Sequence, residues 1–383
     1  MQSAIDILEK LVGIKSVSGR PNHEIVAYVK AYLADHGVEA SLSYDDAGER
    51  ANVLATIGPS GPGGVMLNGH TDVVSVEGQE WATDPFKLTR VDDRLYGRGS
   101  VDMKGYLACI LASVPLFKTA NLQQPIHIAF SFDEETGGWG MPILLDDMRQ
   151  RECKPDVVII GEPTNMKMVT GHKGGYEMRT EIIGHAVHSC DPTKGANAIN
   201  AAMTLIQKIE EMGEERANNP IQGSSFEPPY PTFNIGTIEG GTARNATAGW
   251  CNFNWEYRPM PGEDGDAAIA EIDEFAQREI LPDMQKISAD ARIDIIKEVA
   301  LPALDNRNAA KAVEFVGSLT GINNTEVVSF GTDGGYFSDD DFSTVIIGPG
   351  DIGRAHKADE YITTGELEQG LDFMKKVAAR LSA

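Results

Sequence analysis

Between residues 176 and 299 the chain changes character, and this change constrains the fold more than any single motif. Residues 176–184 read as a strand, and 195–213 as an amphipathic helix with Ala198, Ala201, Ala202, Leu205 and Ile209 on one side. Strands follow at 232–238 and 248–257, then a helix at 265–280 and a strand at 292–299. The order βαββαβ is the ferredoxin-like split unit, which completes a sheet by itself. This block is therefore expected to be an inserted α+β domain. Before it, two helices precede Gly37, strands cover 39–44, 52–57 and 64–68, a helix runs from about Met103 to Lys118, and strands recur at 126–132 and 157–160. After it, helices at 308–319 and 364–381 bracket strands at 325–329 and 343–347. Strands alternating with helices imply an α/β layer structure. The expected architecture is a discontinuous domain, residues 1–175 and 300–383, whose mixed sheet is flanked by helices, with residues 176–299 inserted. The glycine- and proline-rich stretch 58–64 is a loop, too short to link domains.

A length of 383 residues suits two domains. The formal charge of -24 argues against a nucleic-acid-binding role, because phosphates would be repelled. Cys109, Cys153, Cys190 and Cys251 are scattered without a CxxC pair, so they read as reduced thiols and not as a thiolate metal site or disulfide frame. The N-terminus offers no basic-then-apolar leader, and no apolar run approaches the ~20 residues of a membrane helix. A soluble, cytoplasmic protein with no membrane partner is expected.

Polar residues gather just after probable strands or in tight glycine-rich loops. Residues 65–69 run into His70-Thr-Asp72, and Gly97-Arg-Gly-Ser-Val101 leads to Asp102. The strand at 126–132 ends in Asp133-Glu134-Glu135. Residues 157–160 lead through Gly161 to Glu162, and 345–347 lead through a glycine-rich loop to His356. In open α/β sheets the ligand crevice lies outside the carboxyl ends of the strands, so these side chains can converge. Neighbours in an extended chain point to opposite faces, which would let Glu134 and Glu135 take different tasks. Singly, each piece reads as blandly as a capped turn, an acidic loop or a surface histidine. Together, two histidines and several carboxylates without cysteine suit zinc, or cobalt or manganese in its place. They exceed what one tetrahedral ion needs, and two ions about 3.5–4 Å apart sharing a carboxylate would use them.

Gly69-His70-Thr71-Asp72, Gly97-Arg-Gly-Ser-Val-Asp102-Met-Lys-Gly105, Asp133-Glu134-Glu135-Thr-Gly137, Gly161-Glu162-Pro163-Thr164 and the late His356 resemble, in this order and over nearly the whole chain, peptidase family M20. This is the di-zinc aminoacylase and carboxypeptidase superfamily. The resemblance implies a zinc-exopeptidase-like catalytic domain holding two Zn2+ per subunit, with Co2+ as a substitute. It also implies that the inserted domain serves as lid or dimerisation module in a homodimer. Carried over residue by residue, it makes Asp102 the carboxylate shared by two ions. His70 and Glu162 would hold one ion, and Glu135 and His356 the other. Asp72 would orient His70, and Glu134 would be the general base that passes a proton from water to the leaving amine. In the inserted domain His188 would help hold the oxyanion in the partner subunit's site, while Asn245 and Arg258 would contact substrate, Arg258 through a carboxylate. The loop 331–335 would line the cleft.

The implied reaction is metal-dependent hydrolysis of the amide of a small-molecule N-acyl amino acid. Residues 161–174 and 188–199, with the aromatic Tyr106, are similar to the branch that splits N2-acetyl-L-ornithine into acetate and L-ornithine, a step of arginine biosynthesis. Desuccinylation of succinyl-diaminopimelate, broader N-acyl-amino-acid hydrolysis and dipeptide cleavage remain open within the family. A metal-binding scaffold without catalysis is the reading outside it.

Overall fold

In a computed structural model of the chain, residues 1–382 are described. In chain order the strands are β1 (Ala40–Tyr44), β2 (Ala51–Ile57), β3 (Val65–His70), β4 (Thr89–Val91), β5 (Arg94–Tyr96), β6 (Ile126–Ser131), β7 (Val157–Ile160), β8 (Met168–His172), β9 (Gly175–Ile183), β10 (Thr232–Gly240), β11 (Trp250–Arg258), β12 (Arg292–Leu301), β13 (Thr325–Val328), β14 (Thr344–Ile346) and β15 (Tyr361–Thr363). The helices are α1 (Gln2–Gly13), α2 (His23–Asp35), α3 (Lys104–Thr119), α4 (Gly140–Gln150), α5 (Ala198–Asn218), α6 (Gly265–Phe275), α7 (Leu281–Gln285), α8 (Ala310–Thr320), α9 (Gly334–Asp339) and α10 (Thr364–Leu381). The chain forms two compact units. One comprises residues 1–171, 304–327 and 332 onward; the other comprises 172–303 and 328–331.

The first unit is built on a mixed sheet in the order β1-β2-β6-β3-β7-β14-β8-β13. Its centre is parallel: β3 pairs with β6 and β7, and β14 with β7, all in one direction. Every residue of β3, β6 and β7 is buried. Strands covered on both faces read as near-continuous apolar runs, which is why sequence pattern located them. α3 is buried along most of its length and packs beside α1 and α10. Leu107, Ile110, Leu111, Val114 and Phe117 are each buried to about 1% exposure or less, and burial of each such side chain stabilises by about 1.5–3 kcal/mol. α10 starts with a capping box: the Thr363 hydroxyl accepts from the Glu366 N–H while the Glu366 carboxylate accepts from the Thr363 N–H.

The second unit is a four-stranded antiparallel sheet in the order β10-β11-β9-β12, with α5 on the face carrying Met178, Ile182, Phe253 and Trp255. Strand by strand this is the ferredoxin-like arrangement expected from the βαββαβ pattern. Asn197 caps α5, its side-chain oxygen accepting from the N–H groups of Ile199 and Asn200. β10 forms one edge of the sheet, and Ile238 on it is exposed.

Some elements escaped the sequence pattern. α4 begins in Gly137-Gly-Trp-Gly140 with Pro142 in its first turn, where proline is tolerated but reads as loop. β4, β5 and β15 have three residues each and form their own small sheet, too short for alternation to register. No described helix is long and apolar enough to cross a membrane.

Candidate metal centre

The parallel centre of the sheet brings the carboxyl ends of β3, β6, β7 and β14 to one edge, and the polar residues sit there. β3 ends on His70, which is 1% exposed. Its Nδ1 lies 3.0 Å from the carbonyl oxygen of Asp72 and 3.6 Å from the Asp72 carboxylate. A proton held on Nδ1 by these acceptors leaves the Nε2 lone pair free to face a cation. That Nε2 lies 3.1 Å from Asp102 Oδ1 and 3.6 Å from Glu162 Oε1.

Glu162 follows β7 through Gly161, and the glycine is dictated by packing. A Cβ there would stand 2.0 Å from the ring of buried Tyr106, so any side chain at 161 would force Tyr106 or the Glu162 backbone aside. On the other flank, His356 Nε2 lies 3.1 Å from Asp102 Oδ2 and 2.9 Å from Glu135 Oε2. Asp102 thus turns one oxygen toward His70 and the other toward His356. Its ligand atoms belong to two groups, His70–Asp102–Glu162 and Asp102–Glu135–His356, each compact enough to hold an ion.

Glu134 and Glu135 occupy a single 3-10 turn, 134–136, and not the extended chain that alternation suggested. Asp133 causes this. It adopts a left-handed φ of 54°, and its buried carboxylate accepts from the Gly19 N–H and pairs with Arg50. At about three residues per turn the two glutamates still diverge, by a third of a revolution. The Asp72 carboxylate reaches across to accept from the N–H groups of both Glu134 and Glu135, each at 3.2 Å, and from the Ser18 hydroxyl at 2.6 Å. Asp72 therefore braces the glutamate turn as well as standing beside His70. Glu134 belongs to neither donor group.

Asp333, which in sequence is only part of the glycine-rich loop 331–335, joins the cluster. It is 1% exposed, with Oδ2 accepting from the Ser131 hydroxyl at 2.5 Å and Oδ1 without a hydrogen-bond partner among the described residues. Nothing local marks it out, since Gly-Thr-Asp-Gly-Gly reads as an ordinary turn.

Acids crowd this space and positive charge is scarce. Burial, together with neighbouring carboxylates, pushes Glu134 and Glu162 well above the usual carboxylate range. Burial and the field of Asp102 push Glu135 up to about 7. Burial disfavours the charged form of His70, yet its bonds to Asp102 and Asp72 hold it well above the usual imidazole value. Bonds to Asp102 and Glu135 push His356 up to about 10. Glu135 Oε1 is buried without a hydrogen-bond partner among the described residues. An all-N/O donor set, a carboxylate split between two groups and an orphaned buried oxygen all fit two divalent cations. A cation entering the His356 group must displace the imidazole proton and any proton on Glu135. Apparent affinity for Zn2+ or Co2+ is therefore expected to rise with pH from about 6 to about 10, with measurable proton release on binding. Calorimetry in two buffers of different ionisation enthalpy checks this. Binding independent of both pH and buffer would contradict it.

His188, Asn245 and Arg258 lie in the second unit. A bridge between His188 and Ala246, and the bond from the Ser189 N–H to the Asn245 carbonyl at 3.0 Å, set His188 and Asn245 side by side, both exposed. Arg258 ends β11 and pairs with Glu256 at 2.9 Å.

Two nitrogen and oxygen donor groups sharing a carboxylate at the strand ends of a parallel-centred α/β sheet define a candidate two-metal centre of the kind that metal-dependent hydrolases use. The chain belongs to peptidase family M20/M25/M40, whose sequence profile matches residues 66–380. Acetylornithine deacetylase of Pectobacterium atrosepticum is 31% identical over 383 residues, covering 97% of this chain and 96% of that protein. Acetylornithine deacetylase of Pasteurella multocida is 29% identical, covering 98% and 96%. Among solved structures, an M20 family metallo-carboxypeptidase of Sulfolobus solfataricus superposes with a TM-score of 0.75 at 18% identity, covering all of both chains. A dinuclear metal-binding M20 peptidase of Bacillus subtilis superposes with a TM-score of 0.68 at 15% identity, covering 99% of this chain and 97% of that one.

Proposed function

We propose that this chain hydrolyses N2-acetyl-L-ornithine to acetate and L-ornithine, using two zinc ions per subunit, as a cytoplasmic homodimer. The observation that carries the hydrolytic part is Asp102, whose two oxygens face different donor groups. The choice of substrate is supported by the acetylornithine deacetylases, alike over nearly the full length of both chains.

His70 and Glu162 would hold one ion and Glu135 and His356 the other, with Asp102 shared. Ions at these positions supply Lewis acidity, which makes water a nucleophile at neutral pH and offsets charge on the carbonyl oxygen. Glu134, bound to neither group, takes the proton of the attacking water and returns it to the departing amine. Asp72 holds Glu134 in place through its backbone N–H. His188 would donate a hydrogen bond to the oxyanion from the second subunit. Asn245 would contact the substrate, and the Arg258 guanidinium would grip its carboxylate. The inserted domain, residues 176–299, would act as lid and dimerisation module. The edge of β10, with Ile238 exposed, supports pairing of two copies there.

A panel of N-acetyl-L-ornithine, N-succinyl-diaminopimelate and N-acetyl-methionine, assayed with zinc or cobalt, tests the substrate. N-acetyl-L-ornithine is expected to give the highest kcat/KM. Preference for the succinyl compound would move the chain to the desuccinylase branch, and activity on none with metal bound would favour a non-catalytic scaffold. Arg258→Ala should lower kcat/KM by about 10–100-fold, the worth of one charged hydrogen-bonded pair. The loss should appear in KM, and an unaltered KM would remove Arg258 from the substrate site.

A further inference from the structure

Glu360 stands four residues beyond His356 and is 1% exposed. Its Oε1 accepts from the backbone N–H groups of Val101, at 2.9 Å, and Asp102, at 3.1 Å. Its Oε2 accepts from the Gly99 N–H at 3.0 Å and from the Arg98 guanidinium at 2.7 Å. All four donors come from the short segment that presents Asp102. Arg98 is equally buried, and it donates in turn to Gln79 Oε1 at 2.5 Å. The Trp81 indole N–H donates to the same oxygen, and the Arg98 guanidinium lies 5.1 Å from the Trp81 ring centre. Gln79 then uses its amide nitrogen to donate to the carbonyl of His356 at 2.9 Å. The circuit is closed: from the His356 carbonyl through Gln79, Arg98 and Glu360 to the Asp102 backbone, and along the chain from Glu360 back to His356.

Two facts give this circuit a purpose beyond stability. A buried Arg–carboxylate pair is weak support for a fold, since apolar residues of the same volume often serve better. His356 has φ +62°, a left-handed conformation that histidine enters more readily than most residues but still uncommonly, and the Gln79 amide fixes its carbonyl there. We propose that Glu360 is a positioning residue: it holds the Asp102 backbone and, through Arg98 and Gln79, the His356 backbone, and so sets two of the three donors of the Asp102–Glu135–His356 group before an ion arrives. The proposal rests on the reading of the two donor groups as metal sites.

Glu360→Gln keeps the volume but places an NH2 where an oxygen now accepts from a backbone N–H and a guanidinium. Calorimetric titration of metal-free protein with Co2+, together with its visible absorption spectrum, tests the idea. The unaltered chain is expected to bind two ions. Glu360→Gln, folded by circular dichroism, is expected to bind both ions more weakly, because both use Asp102, with the larger loss, about 10–100-fold, on the ion held with His356, and with an altered cobalt spectrum. Wild-type affinity for both ions and an unchanged spectrum in the folded variant would overturn the proposal. If Glu360→Gln does not fold, Gln79→Leu removes the brace on His356 while leaving the Arg98–Glu360 pair in place, and it should weaken the ion held with His356. Unchanged binding there would overturn the proposal equally. Failure of the unaltered chain to take up two ions would overturn the two-site reading itself, and is recognised without any variant.

Discussion

Glu134→Ala should retain both ions yet lose turnover by about 10²–10⁴-fold, the worth of a positioned general base. The residue combines two properties that a base in this setting requires. It stands beside a donor, Glu135, on the same turn, and its own carboxylate belongs to neither donor group. In the metal-free chain burial and the surrounding acids raise its proton affinity well above that of an ordinary glutamate, and under the proposed mechanism it would carry the proton from the attacking water to the departing amine. Elemental analysis and steady-state kinetics on the same preparation separate the possibilities. Loss of metal in Glu134→Ala, with Glu135→Ala keeping it, would mean that the two glutamates are exchanged.

Asp102→Ala should remove both ions together, weakening each by more than about 100-fold, because a missing ligand costs at least as much as a missing outer partner. Its two oxygens lie 3.1 Å from His70 Nε2 and 3.1 Å from His356 Nε2, so neither group is complete without it. Glu162→Ala and His356→Ala provide the contrast, each expected to weaken one ion and spare the other. The metal-to-protein ratio of the three variants after dialysis is the measurement. One ion bound to Asp102→Ala with wild-type affinity would show that the carboxylate is not shared.

The central strands were legible because they are buried on both faces, so that Val157-Val-Ile-Ile160 and its parallel neighbours are apolar without alternation. The inserted unit was legible because its helices and strands come in an order that completes a sheet. The donor residues could be named because each follows a strand or a glycine-rich turn, where side chains of an open sheet converge. Long-range geometry was not legible. The turn carrying Glu134 depends on the left-handed Asp133 and on Asp72 reaching across from another strand. Asp333 and Glu360 are buried acids whose local sequences, Gly-Thr-Asp-Gly-Gly and Lys-Ala-Asp-Glu, look like solvated turns. Only tertiary contacts turn such residues inward, and no periodicity reports them.

The route of the chain through the first unit carries a consequence for synthesis. His70, Asp102 and Glu162 all precede the second unit, whereas His356 follows it. On the ribosome the first trio has left the exit tunnel while the last imidazole is still untranslated. A chain released before residue 356 would lack one of the three residues of the Asp102–Glu135–His356 donor group, whatever else it had folded.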